Sequence, residues 1–174
     1  MTLAVDFHTG LADPLGFACR LVRKAWRSGK RVVVTGVPEQ LDTLDTLLWT
    51  FESTEFVPHA RLRAGQSIAP ALSRTPIWLA DAPSDALADI ALADIALAGT
   101  APKDTALNVT APDDSKPTDV LVNLGPGLAP DAGRFERLIE IVGDAADALS
   151  SGRQRWRSHA AAGRAPVNHK QAVG

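Results

Sequence analysis

The run "KRVVVTG", residues 30–36, decides the fold class of this chain. Its three consecutive valines leave no polar side for solvent, which is typical of a strand that is buried on both faces. Such a strand needs helices above and below its sheet, as in parallel α/β proteins. The segments on either side of the run therefore have to supply those helices and the neighbouring strands.

These flanking segments alternate between strand and helix patterns. Residues 3–9 predict a strand, and Asp13-Pro14 is typical of a helix start with the aspartate as its cap. After the valine run, leucines at helical spacing predict a second helix that begins at Pro38. The remaining predicted elements are strands at 75–81, 118–125 and 135–143 and a closing helix from Asp144 to about Gly163. We therefore predict an α/β three-layer sandwich, with a largely parallel sheet and helices on both faces.

The length and composition of the chain indicate one globular domain. Its 174 residues are 45% hydrophobic and 22% charged, which suffices for a single core. We assign residues 1–166 to this domain and residues 167–174 to a flexible C-terminal tail. Residues 81–119 are predicted to be an insertion between sheet strands, because "ADIAL" occurs twice there and a stretch rich in Pro, Asp, Ser and Thr follows.

The sequence contains no pattern that would mark an active site. A glycine follows the strand in "VVVTGVPEQ", but neither G-x-G-x-x-G nor the P-loop pattern occurs, so no nucleotide-binding loop is predicted. The four histidines lack metal-site spacing and Cys19 is the one cysteine, so neither a metal nor a cofactor is predicted. No signal-peptide pattern or membrane-length apolar run occurs, which predicts a cytoplasmic protein. We expect a protein that is not an enzyme.

The segment "GRQRWRSHAAAGRAP", residues 152–166, gives an otherwise acidic chain a basic end. The net charge is −2, and five cations but no acid follow Asp147, so the chain up to that residue carries −7. On a helix, Arg153, Trp156 and Arg157 stand at i, i+3 and i+4 and share one face. A guanidinium binds a carboxylate through two parallel hydrogen bonds, and an indole beside it offers an apolar wall. This face predicts a ligand that carries both a carboxylate and a hydrophobic side chain, such as a peptide C-terminus.

Other interpretations of the same face stay open. In one, Trp156 only packs the last helix onto the sheet while the arginines are solvated. In another, arginine and tryptophan together bind single-stranded nucleic acid directly, by phosphate contacts and stacking, although the acidic body argues against a broad nucleic-acid surface. For the chain as a whole, a further hypothesis is an unrelated α/β enzyme, and it rests on fold analogy alone.

Three blocks of the sequence resemble the chi subunit family of bacterial DNA polymerase III. They are "CRLVRKAWRSGKRVVV" (19–34), "LDTLLWTFESTEFVPHARL" (44–62), and "DVLVNLG" with "RFERLIEIV" and "RQRWRSHAAAG" towards the end. The second block, in which a Leu-Trp precedes Phe-Val-Pro-His, is the most distinctive. The resemblance implies a Rossmann-like sandwich without nucleotide binding, and a role in DNA replication as an adaptor in the clamp-loader assembly.

The resemblance also implies two partners. One is the acidic, phenylalanine-ended C-terminal tail of the single-stranded DNA-binding protein, so that DNA is contacted only indirectly. By resemblance, Arg153, Trp156 and Arg157 form the tail pocket, with Val142 of the preceding strand in its apolar floor. Leu149 departs from the pattern, because a basic residue is expected one turn before Arg153.

The second implied partner is the psi subunit of the clamp loader. By resemblance, its interface consists of Trp49, Phe51 and Phe56. The competing interpretation is that Trp49 and Phe56 complete the hydrophobic core. Aromatic residues crowded near a loop are typical of an interface hot spot.

Overall fold

The computed structural model describes residues 3–52, 54–72, 74–81 and 119–171. The strands in these ranges are β1 (Ala4–Leu11), β2 (Arg31–Thr35), β3 (His59–Leu62), β4 (Ile77–Ala80), β5 (Asp119–Asn123), β6 (Arg137–Gly143) and β7 (Val167–Lys170). The α-helices are α1 (Pro14–Arg27), α2 (Pro38–Thr50) and α3 (Ala146–Ala161). The predicted insertion, apart from its two end residues, lies outside the described residues.

All seven strands form one parallel sheet in the order β3-β4-β2-β5-β6-β1-β7. The valine run is β2, near the middle of the sheet and paired with β4 and β5. Val32 and Val34 pack into the core on one face and Val33 into the core on the other. The prediction of a parallel α/β sandwich, based on a strand buried on both faces, is therefore confirmed.

The helices divide between the two faces of the sheet. Helices α1 and α2 cover one face, where Cys19, Val22 and Leu44 are fully buried. The side chain of Asp13 caps α1 by accepting a hydrogen bond from the Gly16 amide at 2.9 Å. Helix α3 lies on the opposite face and packs against β6 and β1. This arrangement is a three-layer sandwich of the Rossmann-like kind.

Two strands differ from the sequence-based prediction. Strand β3 begins at His59, in a segment for which the sequence predicts no strand. Strand β7 occupies residues 167–170, which the sequence analysis assigns to a flexible tail, so that assignment is wrong for these four residues. Both are short edge strands with few buried apolar side chains, and pairing with β4 or β1 holds them in place. Their local sequence carries little of the apolar alternation that identifies a strand.

Candidate functional site

A groove lies between α3 and the edge of the sheet formed by β1 and β7. Its cavity volume is about 740 Å³. Its lining residues are Phe7, Thr9, Gly10, Val142, Asp144, Leu149, Gly152, Arg153, Trp156, Arg157, Asn168 and Lys170. All four residues expected to form a tail pocket therefore lie around one groove.

One wall of the groove is the face of α3 that carries Arg153, Trp156 and Arg157. Trp156 is half-buried, and its ring centroid lies 5.0 Å from that of Phe7 in a tilted arrangement. The two arginines are exposed. Trp156 therefore anchors α3 to β1 and also lines the groove, so the packing interpretation and the binding interpretation describe the same side chain.

Val142 and Leu149 give the groove an apolar floor, at the place where α3 approaches β6 closely. A Cβ atom on Gly152 would lie 2.8 Å from Cγ1 of Val142, so only glycine fits here without a shift. Leu149 borders the same floor and packs against the core. The position at which the family pattern would place a basic residue thus adds apolar surface to the groove.

The rim of the groove is mainly basic. Arg153, Arg157 and Lys170 are the cations among its lining residues, and Asp144 is the acid. Lys170 belongs to β7 and therefore comes from a segment in which the sequence predicts no structure. An apolar floor with a cationic rim suits a ligand that has a hydrophobic end group and negative charge.

A buried polar cluster holds α3 in position behind the groove. Glu140 of β6 is fully buried, and its carboxylate accepts hydrogen bonds from Arg155 at 2.8 Å, from Asn123 at 2.9 Å and from His159 at 3.1 Å. Arg164 donates to Nδ1 of His159 at 2.9 Å, which leaves the imidazole proton on Nε2 to face the carboxylate. The cluster fixes the rotation of α3 about its axis, so that Arg155 points inward and its neighbours face the groove.

A second polar cluster fastens β7 to β1 on the other face of the sheet. Asp6 is buried and accepts hydrogen bonds from Arg137 at 2.7 Å and from His169 of β7 at 2.8 Å. Burial raises the pKa of Asp6, but these two hydrogen bonds outweigh burial and hold that pKa below its ordinary value. His8 stacks on His169 with ring centroids 4.9 Å apart. Burial and the nearby charge of His169 lower the pKa of His8.

A separate surface carries the aromatic residues expected at a psi interface. Trp49 is 56% exposed and Phe56 is 63% exposed, with ring centroids 5.3 Å apart. The interpretation that these two residues complete the core is therefore wrong. Phe51 is half-buried against the core and lies under the guanidinium of Arg23 at 5.1 Å. The ring of His59 packs beside Trp49 at 5.0 Å.

Ion pairs hold this aromatic surface against α1. Glu55 accepts hydrogen bonds from Arg23 and Arg27, and Arg23 also pairs with Glu52 at 3.0 Å. The hydrogen bonds from Arg23 and then Arg27 keep the pKa of Glu55 below its ordinary value. Trp49 in the last turn of α2 and Phe56 in the loop after it thus lie on either side of a segment that is fastened at both Glu52 and Glu55.

Sequence reasoning missed the contributions of β7 and of Glu140. Within the part of the chain that the structure describes, no group of His, Cys, Asp and Glu side chains could hold a metal ion. Among the same residues, no helix is long and apolar enough to cross a membrane. The signal that could have identified Glu140 is its position in "RLIEIV", since a strand covered on both faces must bury every side chain.

Comparison with known proteins gives two matches. The family model described as DNA polymerase III chi subunit, HolC, matches residues 1–109 and 93–166. A relative from Pseudomonas aeruginosa, named DNA polymerase III subunit chi, is 44% identical over 61 residues. That alignment covers 32% of this chain and 43% of the relative, so it spans less than half of the relative's length.

Proposed function

Because this chain belongs to the DNA polymerase III chi subunit family, we propose that it is a non-catalytic replication adaptor. In this proposal the groove binds the acidic C-terminal tail of the single-stranded DNA-binding protein, and the surface of Trp49 and Phe56 binds the psi subunit. The protein acts in the cytoplasm and needs neither metal nor cofactor. Its contact with DNA is indirect, through the coating protein.

The observation that carries the proposal is the convergence of Val142, Arg153, Trp156 and Arg157 on one groove. Helical spacing alone places Arg153, Trp156 and Arg157 on one face, and the family resemblance adds Val142, so the groove is an independent observation. The groove also combines the two properties that an acidic, phenylalanine-ended peptide requires. It has an apolar floor for a ring and cations at its rim for carboxylates.

Different residues of the groove would contact different parts of the expected peptide. The terminal phenylalanine ring packs on Val142 and Leu149 and against Trp156. The terminal carboxylate, which has to lie near that ring, pairs with Arg153 or Arg157. Lys170 on the opposite rim attracts the acidic residues that precede the terminus.

The two proposed surfaces lie towards opposite edges of the sheet, which supports an adaptor role. Trp49 contacts His59 of the edge strand β3, whereas the groove borders the other edge strand, β7. Six strand spacings separate these edges, or about 29 Å at about 4.8 Å each. Both partners can therefore be bound at the same time.

Calorimetric titration with an acidic peptide that ends in phenylalanine tests the groove. The free acid should bind, and the same peptide amidated at its C-terminus should bind up to about fivefold more weakly, because the terminal carboxylate loses an ion pair with an exposed arginine that is worth about 0.2–1 kcal/mol. Equal affinity for the two peptides would contradict carboxylate capture. An oligonucleotide that quenches tryptophan emission with no partner present would favour direct nucleic-acid binding instead.

Variants of the groove locate the binding site. Trp156→Ala should weaken binding of the free-acid peptide by about 2 kcal/mol, or about thirtyfold, because a tryptophan that lines a binding groove is a typical hot spot. Arg153→Ala should cost only about 0.2–1 kcal/mol, because its guanidinium is exposed. Arg134→Ala is the matched control, since that arginine is exposed and lies outside the groove. An unchanged affinity in Trp156→Ala, with the fold verified by circular dichroism, would remove the site assignment.

The psi surface has its own test. Trp49→Ser with Phe56→Ser should abolish co-purification with a psi subunit while leaving the free energy of unfolding within about 1 kcal/mol, because both side chains are largely exposed. The affinity for the acidic peptide should not change. Loss of both activities together would indicate misfolding, and retention of psi binding would contradict the assignment.

A further inference from the structure

We propose that the free edge of β7 binds the peptide segment just upstream of the captured terminus, as an added strand of the sheet. This inference rests on the proposed function, because it concerns the same acidic peptide. It extends the binding site from a groove that takes the last residues to an edge that takes the backbone before them. Strand addition of this kind obtains affinity from main-chain hydrogen bonds.

The first observation is that β7 ends the sheet. It pairs with β1 on one side, and within the described residues no strand lies on its other side. All four of its residues are exposed, including Val167 at 52%. An edge strand of this kind presents unpaired backbone groups to solvent.

The second observation is the phase of the hydrogen bonds along β7. The amide of Gln171 donates to the carbonyl of Thr9 at 3.1 Å, and Thr9 stands opposite Lys170 in the register. Because the bonds of a parallel ladder alternate, the backbone groups of His169 face β1. Those of Asn168 and Lys170 therefore point away from β1, to the free edge.

The third observation is that the same two residues line the groove. The side chains of Asn168 and Lys170 contribute to its lining, and their backbone groups face the free edge. A peptide that leaves the groove across β7 therefore meets the amides and carbonyls of Asn168 and Lys170, which have no strand partner among the described residues. The groove and the edge form one continuous surface.

Charge selects an acidic peptide as the occupant of this edge. Lys170 lies on β7, with Arg153 and Arg157 across the groove, whereas His169 is already paired with Asp6 on the other face of the sheet. Pairing with β7 of a second copy would bring these basic residues together, and like charges placed opposite each other destabilise a strand pair. An acidic strand has the complementary charge.

The test compares a short peptide, which holds only the terminal residues, with one extended upstream by about six residues, a typical strand length. The long peptide should bind about tenfold more tightly. On its addition, the amides of Asn168 and Lys170 should become protected from hydrogen exchange, whereas the short peptide should leave them exchanging. A long peptide N-methylated at alternate upstream residues has the same charge and should lose the gain.

Asn168→Pro removes one outward amide from the edge, and Asn168→Ala is its matched control because it keeps that amide. The proline variant should bind the long and the short peptide with equal affinity, and the alanine variant should keep the tenfold difference between them. A gain that survives in Asn168→Pro, or amides that stay unprotected with the long peptide, would overturn strand addition while leaving groove binding intact.

Failure of the short peptide to bind would instead contradict the proposed function itself. If the amides of Asn168 and Lys170 become protected without any peptide as the protein concentration rises, β7 pairs with a second copy of the chain, and the inference is overturned.

Discussion

Replacement of Arg155 by methionine is the sharpest test of how α3 is held. The Arg155 side chain is 4% exposed and faces Glu140, which is fully buried. Methionine has a similar length and fills the space, but it leaves the carboxylate with only Asn123 and His159 as partners. The change therefore isolates a buried charge without creating a large cavity.

The contacts of Arg155 set the expected cost. Its Nε donates to Glu140 at 2.8 Å and its Nη1 to the carbonyl of Pro126 at 3.0 Å. Two charge-assisted hydrogen bonds at about 1.5–3 kcal/mol each give about 3–6 kcal/mol, in agreement with about 3–5 kcal/mol for a buried pair that loses one partner. This is a large part of the 5–15 kcal/mol or so that stabilises a typical domain.

Urea unfolding followed by tryptophan fluorescence measures this cost as the free energy of unfolding. Arg153→Met is the matched control, two residues away on the same helix but exposed, and should change stability by less than about 0.5 kcal/mol. The double variant Glu140→Leu/Arg155→Met removes both charges and should recover at least about half of the loss. A cost below about 1 kcal/mol for Arg155→Met, or no recovery in the double variant, would refute the reasoning.

Three further predictions concern the floor of the groove, the effect of pH on stability and the effect of salt on peptide binding. Gly152→Ala should destabilise the protein by about 1–3 kcal/mol and weaken peptide binding, because the new methyl group overlaps Val142. Urea unfolding measures the destabilisation. Gly133→Ala is the control, since a Cβ atom there would meet nothing within 4 Å. Because the pKa of His8 is lower in the folded protein, the unfolded chain binds a proton at this residue at a higher pH than the folded protein does. The free energy of unfolding should therefore be retained above about pH 7 and should fall as the pH drops below about 6.5. His8→Phe should remove that step in thermal unfolding at several pH values. Peptide affinity should decrease with salt, and Arg153→Ala/Arg157→Ala should flatten that dependence in calorimetry.

Much of the fold could be predicted because the central elements carry strong local patterns. The β2 run and the apolar face of α2 reflect burial directly, and both lie within a residue or two of their predicted bounds. Strand β7 could not be found in this way. Its residues are exposed, and it is held by β1 and by the bond from His169 to Asp6, which is 163 residues away in sequence.

The candidate site was predicted in part for a similar reason. Helical spacing places Arg153, Trp156 and Arg157 on one face, and that relation is local. The opposite rim depends on Lys170, which joins the groove only after β7 has paired with β1. The inward direction of Arg155 depends on Glu140, and no spacing rule within α3 indicates that partner.

The proposed adaptor role makes use of weak contacts. Ion pairs from exposed arginines contribute little each, so the affinity for a single tail need not be high. Many tails lie along coated single-stranded DNA, so a released tail is replaced by its neighbour at high local concentration. A contact of this strength would let the replication machinery move while it stays associated with the coating protein.

The central claim, that the groove binds the tail of the coating protein, is tested most directly on coated single-stranded DNA. Binding of the chi-family protein would be measured on three surfaces. The first is DNA coated with the intact single-stranded DNA-binding protein, the second is DNA coated with that coating protein after removal of its terminal residues, and the third is bare DNA. We predict binding to the first surface alone, with loss of that binding in Trp156→Ala. Equal binding to the intact and shortened coats, or stronger binding to bare DNA, would contradict the account.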